Sequence, residues 1–204
     1  MLAIGNLICA RFSKRRKRFG LSVLNYIVTC NHVHLLVRDS GPNVIADRMQ
    51  LIAGRTGQEY NQRKGRHGAF WEDRYHATAI EVDEHLHRCL VYIDLNMVRA
   101  GVVTHPSDWT HSGYQEKRYG IIDLRELSSL CGFSEVPEFQ QAHRRRVDDS
   151  LTRQRMAREG RWSEAITVGK LNFVEKVKRA NSDSKRRIQP RCGGSKVQRF
   201  KGST

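Results

Sequence analysis

Cysteine is scarce and unpaired in this sequence: Cys9, Cys30, Cys89, Cys131 and Cys192 lie far apart and never form a C-x-x-C pair. That excludes a disulfide framework and a zinc knuckle, and it fits a reducing cytoplasm. Long apolar runs are missing too. Residues 1–10 are apolar but few, and their positive charges follow rather than precede them. This is the wrong order for a signal peptide and too short a run to span a bilayer, so no membrane partner is expected. No internal repeat is visible. The third shortage is of acid, with 21 Asp and Glu against 36 Lys and Arg, a net charge of +15. A polyanion is the partner such a balance favours, nucleic acid first. The cations are also clustered, at Lys14-Arg15-Arg16-Lys17-Arg18, at Arg144-Arg145-Arg146 and at Lys185-Arg186-Arg187 followed by Arg191, Lys196, Arg199 and Lys201. Clustering makes a footprint; without it, a merely soluble basic protein would be the ordinary alternative.

The 204 residues allow one principal domain with a real core. Residues 2–19 read as a helix closed by Gly20. Residues 22–30 and 32–38, rich in Val, Ile, Leu and Tyr, read as two strands with a tight connection at Asn31, a hairpin. Val44, Ile45, Met49 and Ile52 recur at helical spacing, and the Gly-containing basic run 63–68 ends that element. A strand is expected at 77–82, then a helix over 84–100 capped by Asp83 and closed by Gly101. Beyond the turn at 105–108 the spacing predicts short helices at 124–130, 136–156 and 170–180. Residues 181–204 hold too few apolar side chains to fold alone and read as a basic, disordered tail.

Two elements could carry chemistry. In a strand, side chains two apart share a face, so His32 and His34 of Asn31-His32-Val33-His34-Leu35-Leu36-Val37 present adjacent imidazoles suited to one metal ion. A pair of surface histidines is the ordinary alternative, set against the cost of burying unpartnered imidazoles in so apolar a strand. His85 and His87 have the same spacing but fall in a helix, where two residues turn the side chains about 200° apart. They cannot easily share a metal and read as surface residues.

The helix over 84–100 carries Leu86, Leu90, Ile93, Met97 and Ala100 on an apolar face. On its polar flank lie His85, Arg88, Cys89, Tyr92, Asn96 and Arg99. Tyr92 and Asn96, four apart, stack one turn above the other. A phenol can attack phosphorus where a metal activates the phosphate, and an amide oxygen can ligate a hard cation. Packing by Tyr92 and capping by Asn96 remain the plain alternatives.

Three blocks together resemble one family. His32-Val33-His34 within N-H-V-H-L-L-V, Phe70-Trp71-Glu72-Asp73-Arg74-Tyr75-His76, and Tyr92-Ile93-Asp94-Leu95-Asn96-Met97-Val98-Arg99-Ala100-Gly101 look like the signature blocks of the HUH transposases that cut single-stranded DNA with one tyrosine. The REP-associated tyrosine transposases are the most similar branch. The register holds from about residue 15 to 120, and the segment around Trp162 to Val177 resembles the C-terminal extension of some members.

The resemblance implies an α+β fold, a ferredoxin-like antiparallel sheet with packed helices. Residues 1–120 would form the transposase domain, 121–180 a small helical extension and 181–204 the tail. It places His32 and His34 as metal ligands, Tyr92 as nucleophile and Asn96 at the third ligand, often glutamine in the wider family. It implies Mg²⁺ or Mn²⁺ as cofactor, single-stranded or hairpin DNA as partner, a monomer or homodimer, and a 5′-phosphotyrosine intermediate in DNA transposition. Trp71, Arg74 and Tyr75, with Arg88 and Arg99 on the helix flank, are the DNA-binding candidates. Trp71 and Tyr75 could equally pack across strands.

One departure stands out. Relatives begin with a strand before the first helix, central in the sheet, whereas this sequence reads directly into the helix. That implies a misassigned start, a degraded copy or a rearranged sheet, the first two ahead of the third. With that first strand missing, the strands beside its place are expected to lack a partner. The rival reading is therefore a catalytically inactive, N-terminally truncated derivative that recognises hairpin DNA without cutting it. A third is a metal-dependent phosphoesterase that attacks with water and leaves no protein on its product.

Overall fold

The computed structural model describes residues 21–116, 121–153, 158–162, 164–184 and 195–201. The helix expected at 2–19 lies outside these residues. The expected hairpin is present, as β1 (Ser22–Val28) antiparallel to β2 (His32–Arg38). Its turn is closed by the Thr29 side chain, which donates to the His32 carbonyl at 2.8 Å and accepts from the His32 N–H at 3.1 Å. Both strands are buried on both faces over most of their length, as their nearly continuous apolar runs require.

Helix α1 (Val44–Lys64) ends at Gly65, in the left-handed conformation, whose N–H returns to the Asn61 and Gln62 carbonyls. Strand β3 (His76–Ile80) is shorter and earlier than the 77–82 expected. Helix α2 (Glu84–Asp94) starts at Asp83 as predicted, the carboxylate accepting from the His85 N–H at 2.7 Å. It does not run unbroken to Ala100: it is interrupted at Leu95 and resumes as α3 (Asn96–Arg99) before Gly101 at φ 67°. Leu86, Leu90, Ile93 and Met97 of the predicted apolar face are buried, whereas Ala100 is exposed.

The C-terminal third contains α4 (Leu124–Leu130), α5 (Val136–Thr152), a single 3₁₀ turn at Gly160–Trp162, the two-residue strand β4 (Thr167–Val168) and α6 (Leu171–Ser184). The three helices stand where the spacing predicts them, with α5 ending before 156 and α6 passing 180. A last strand follows, β5 (Ser195–Lys201).

Among the described residues, the five strands form one sheet in the order β1-β2-β5-β3-β4. β5 is antiparallel to β2 on one side and to β3 on the other. This corrects two expectations. Part of the supposed disordered tail is a central strand, and the place assigned to a missing first strand is filled. The physical reason is that two neighbouring strands with open backbone edges offer hydrogen bonds that even a poorly apolar segment can take up.

The outer edge of β1 is covered by residues on either side of 117–120: Val28 and Asp123 N–H groups reach the His111 and Val23 carbonyls, and Gly113 N–H reaches the Tyr26 carbonyl. At Gly113 a Cβ would collide with Asn25 Oδ1, so only glycine permits that approach. Leu24, Ile27, Leu35, Leu36, Ile80, Leu86, Leu90, Ile93 and Trp162 form the centre of the core. Among the described residues no helix is long and apolar enough to cross a membrane.

Candidate active site

The tight hairpin turn puts His32 at the first position of β2, half-exposed, with His34 two residues on and only 2% exposed. Their rings lie edge to face, centroids 4.9 Å apart. His32 Nδ1 meets Asn31 Oδ1 at 2.7 Å. An amide oxygen can only accept, so Nδ1 carries the proton and Nε2 keeps the lone pair that a metal needs.

Helix α2 brings Tyr92 to the same place. Its ring centroid is 6.1 Å from that of His34, again edge to face, and the residue is 7% exposed. Two side chains frame the phenol. Arg99 sets its guanidinium 4.0 Å from the centre of the Tyr92 ring and donates from Nη2 to the Tyr92 carbonyl at 2.7 Å. This side-chain bond takes the carbonyl at the point where the helix is interrupted. Burial pulls the Arg99 pKa below the ordinary guanidinium value, while Tyr92 and Glu159 act to hold it up. On another side Trp162, fully buried, packs with its ring 6.2 Å from that of Tyr92.

Asn96 opens α3, half-buried, one turn beyond Tyr92. Arg88 is exposed on α2 and shares with Tyr92, Arg99, Arg146 and Arg153 a cavity of about 470 Å³, into which Glu84 and Glu159 also reach. Arg74 is exposed and does not line this cavity. Trp71 donates its indole N–H to the Ala53 carbonyl at 2.9 Å and meets Phe70 edge to face at 4.7 Å, so it fastens the 70–76 segment to α1. Tyr75 is half-buried, and burial with Asp47 nearby raises its phenol above the usual range.

Several contributors gave little or no sequence signal. Trp162 is one; the likeness of 162–177 to an extension marked the segment without saying that its tryptophan would sit under the tyrosine. Asp94, 2% exposed, is another: it accepts from Asn25 Nδ2 at 2.9 Å and pairs with His143 Nε2 at 2.6 Å, tying α2 to β1 and to α5. Glu81, Asp83 and His85 also come within ligand distance of one another, all within 4.8 Å. Those carboxylates are already engaged, Asp83 with the His85 N–H and with Lys170 Nζ at 3.2 Å, and Glu81 with the Lys170 N–H at 2.6 Å. His85 and His87 are half-buried rather than surface residues. Burial, with Arg146 close by, lowers the His87 pKa.

Two stretches far apart in the chain, the H-x-H strand and the Tyr92 helix, thus converge on one point. Residues 5–96 match the family described as Transposase IS200 like. The matched stretch contains His32, His34, Tyr92 and, at its end, Asn96. No curated protein and no solved structure matches this chain. The IS200-like match supports a transposase role, DNA as the partner and the metal dependence typical of that family. Trp162, His143 and β5 lie outside the matched stretch.

Proposed function

We propose that this chain cleaves and rejoins single-stranded DNA through a covalent bond to Tyr92, in the manner of the REP-associated branch. One observation carries the reading: the Tyr92 ring stands 6.1 Å from His34, which is itself 4.9 Å from His32.

The phenolic oxygen of Tyr92 attacks a phosphodiester phosphorus, the P–O3′ bond breaks, and the 3′ oxygen leaves as a hydroxyl after taking a proton. The 5′ phosphate stays on Tyr92. Resealing runs the step backwards, with a 3′-hydroxyl attacking the phosphotyrosine and releasing the phenol. No nucleotide cofactor is required, because one ester replaces another. Arg99, held over the Tyr92 ring, supplies positive charge beside any phosphate brought there. Trp162 and the Asp94 contacts keep the tyrosine from swinging away. The donor set suits a divalent ion: His32 with its Nε2 lone pair, His34 beside it, and the Asn96 amide as third ligand. Mg²⁺ or Mn²⁺ bound there would polarise the phosphoryl oxygen and orient the leaving group.

The test is incubation with labelled single-stranded hairpin DNA and Mn²⁺, followed by denaturation. The expected result is a protein–DNA adduct that Tyr92→Phe eliminates. Cleavage without an adduct would replace this reading with the water-attacking phosphoesterase. Binding without cleavage would replace it with the silent hairpin-binding derivative.

A further inference from the structure

The strand at the centre of the sheet follows every other described element in the chain. β5 pairs with β2 along its whole length, from His32 opposite Lys201 to Arg38 opposite Ser195. On its other side it pairs with β3, from His76 opposite Arg199 to Ile80 opposite Ser195. One row across the sheet therefore runs His34, Arg199, His76.

Without β5, β2 would keep only β1, and β3 would keep only the two-residue β4. A lone two-stranded hairpin is marginal in water, and open strand edges invite mispairing. The strand that would lose a partner along all seven residues is the one that carries His32 and His34.

We infer that Ser195–Lys201 is a positioning strand for the reaction: its docking between β2 and β3 sets the histidine pair at working distance from Tyr92. Cleavage competence is then withheld until the rest of the fold has been made and β5 has inserted. The inference rests on the phosphotyrosine reading of the site. The recognition is backbone pairing, antiparallel on both sides, and its occupant is this chain's own segment.

The decisive variant is Gln198→Pro in the full chain. It removes one N–H from a strand hydrogen-bonded on both sides, opposite Leu35 and Ala77. Adduct formation is expected to fall on the order of a hundredfold or more, the scale of a misplacement of about 1 Å at a reacting centre, while affinity for the same DNA changes far less. Wild-type adduct rates from Gln198→Pro would overturn the inference.

Amide exchange supplies a readout free of DNA chemistry. Protection across His32–Arg38 and His76–Ile80 should be high in the full chain and collapse in Gln198→Pro. Unchanged protection would refute the docking of β5. Intact protection with no adduct from the wild-type chain would instead fault the phosphotyrosine reading.

Discussion

β2 and β5 run side by side in the middle of the sheet, but only β2 brings its own reason to be there. Its run HVHLLVR supplies five consecutive buried positions. The run SKVQRFK of β5 has Val197 and Phe200 as its only apolar residues. The first strand would be buried in almost any fold, while the second is held by the backbone edges it meets. The same contrast separates the two ends of the molecule. Residues 21–100 hold the side chains to which the chemistry is proposed, His32, His34, Tyr92 and Arg99; the C-terminal third holds groups packed against or paired with the elements that carry them, Trp162, His143 and β5. A site can thus be written in one stretch of sequence and braced from another that shares none of its pattern.

The largest expected effect tests whether the brace matters as much as the core. Leu36→Ala, in a fully buried position of β2, should cost about 2–5 kcal/mol of stability. Trp162→Ala, equally buried but outside the family-matched stretch, should cost about 3–5 kcal/mol. Denaturant midpoints measure both. If Trp162→Ala costs under ~1 kcal/mol, the C-terminal third is an appendage and the contrast drawn above collapses into one of mere position.

The second effect separates chemistry from grip. His32→Ala and His34→Ala should each abolish Mn²⁺-dependent adduct formation and leave most DNA affinity in place, because the cations that meet phosphate lie elsewhere on the surface. Adduct yield at saturating DNA, read beside the dissociation constant, decides it. Equal loss of both would give the histidines a structural role, most telling for His32, which is half-exposed and supports little of the core.

What could be read in advance follows the same division. Wherever an element carries its own period and its own stops, the sequence shows it. The hairpin turns at Asn31, α1 stops at Gly65, α2 starts at Asp83, and α4 is found residue for residue. The meeting of His32, His34 and Tyr92 was legible because each stands on such an element. The break at Leu95, where the Arg99 side chain takes the Tyr92 carbonyl, was not, since nothing in the helical period of 84–100 marks it. Neither was Trp162 beneath the tyrosine, nor the Asn25, Asp94 and His143 cluster, because each is a pairing of residues distant in the chain. β5 was the hardest, for its strand character resides in β2 and β3 rather than in its own residues.

The smallest expected effect probes an exposed join between the two ends. Asp83 caps α2 through the His85 N–H and faces Lys170, whose side chain is 71% exposed. Burial pushes the Asp83 carboxyl upward, but the His85 N–H bond and Lys170 outweigh it and leave the pKa below the ordinary carboxylate value. A carboxyl depressed in the folded state adds stability above its unfolded pKa of about 3.9, and that stability is lost as pH falls through the folded value. Asp83→Ala should therefore cost about 1 kcal/mol at neutral pH, the usual worth of a cap. Asp83→Asn keeps a capping oxygen and removes only the charge. Against so exposed a lysine, the charge contributes roughly 0.2–1 kcal/mol, further reduced by salt. Thermal melts of the wild type and Asp83→Asn should differ by this small amount at neutral pH and converge under acid, where Asp83 is protonated in both folded and unfolded states. A difference that stays constant into acid would show that Lys170 contributes no charge to the join, and that the two ends meet there through packing and the cap alone.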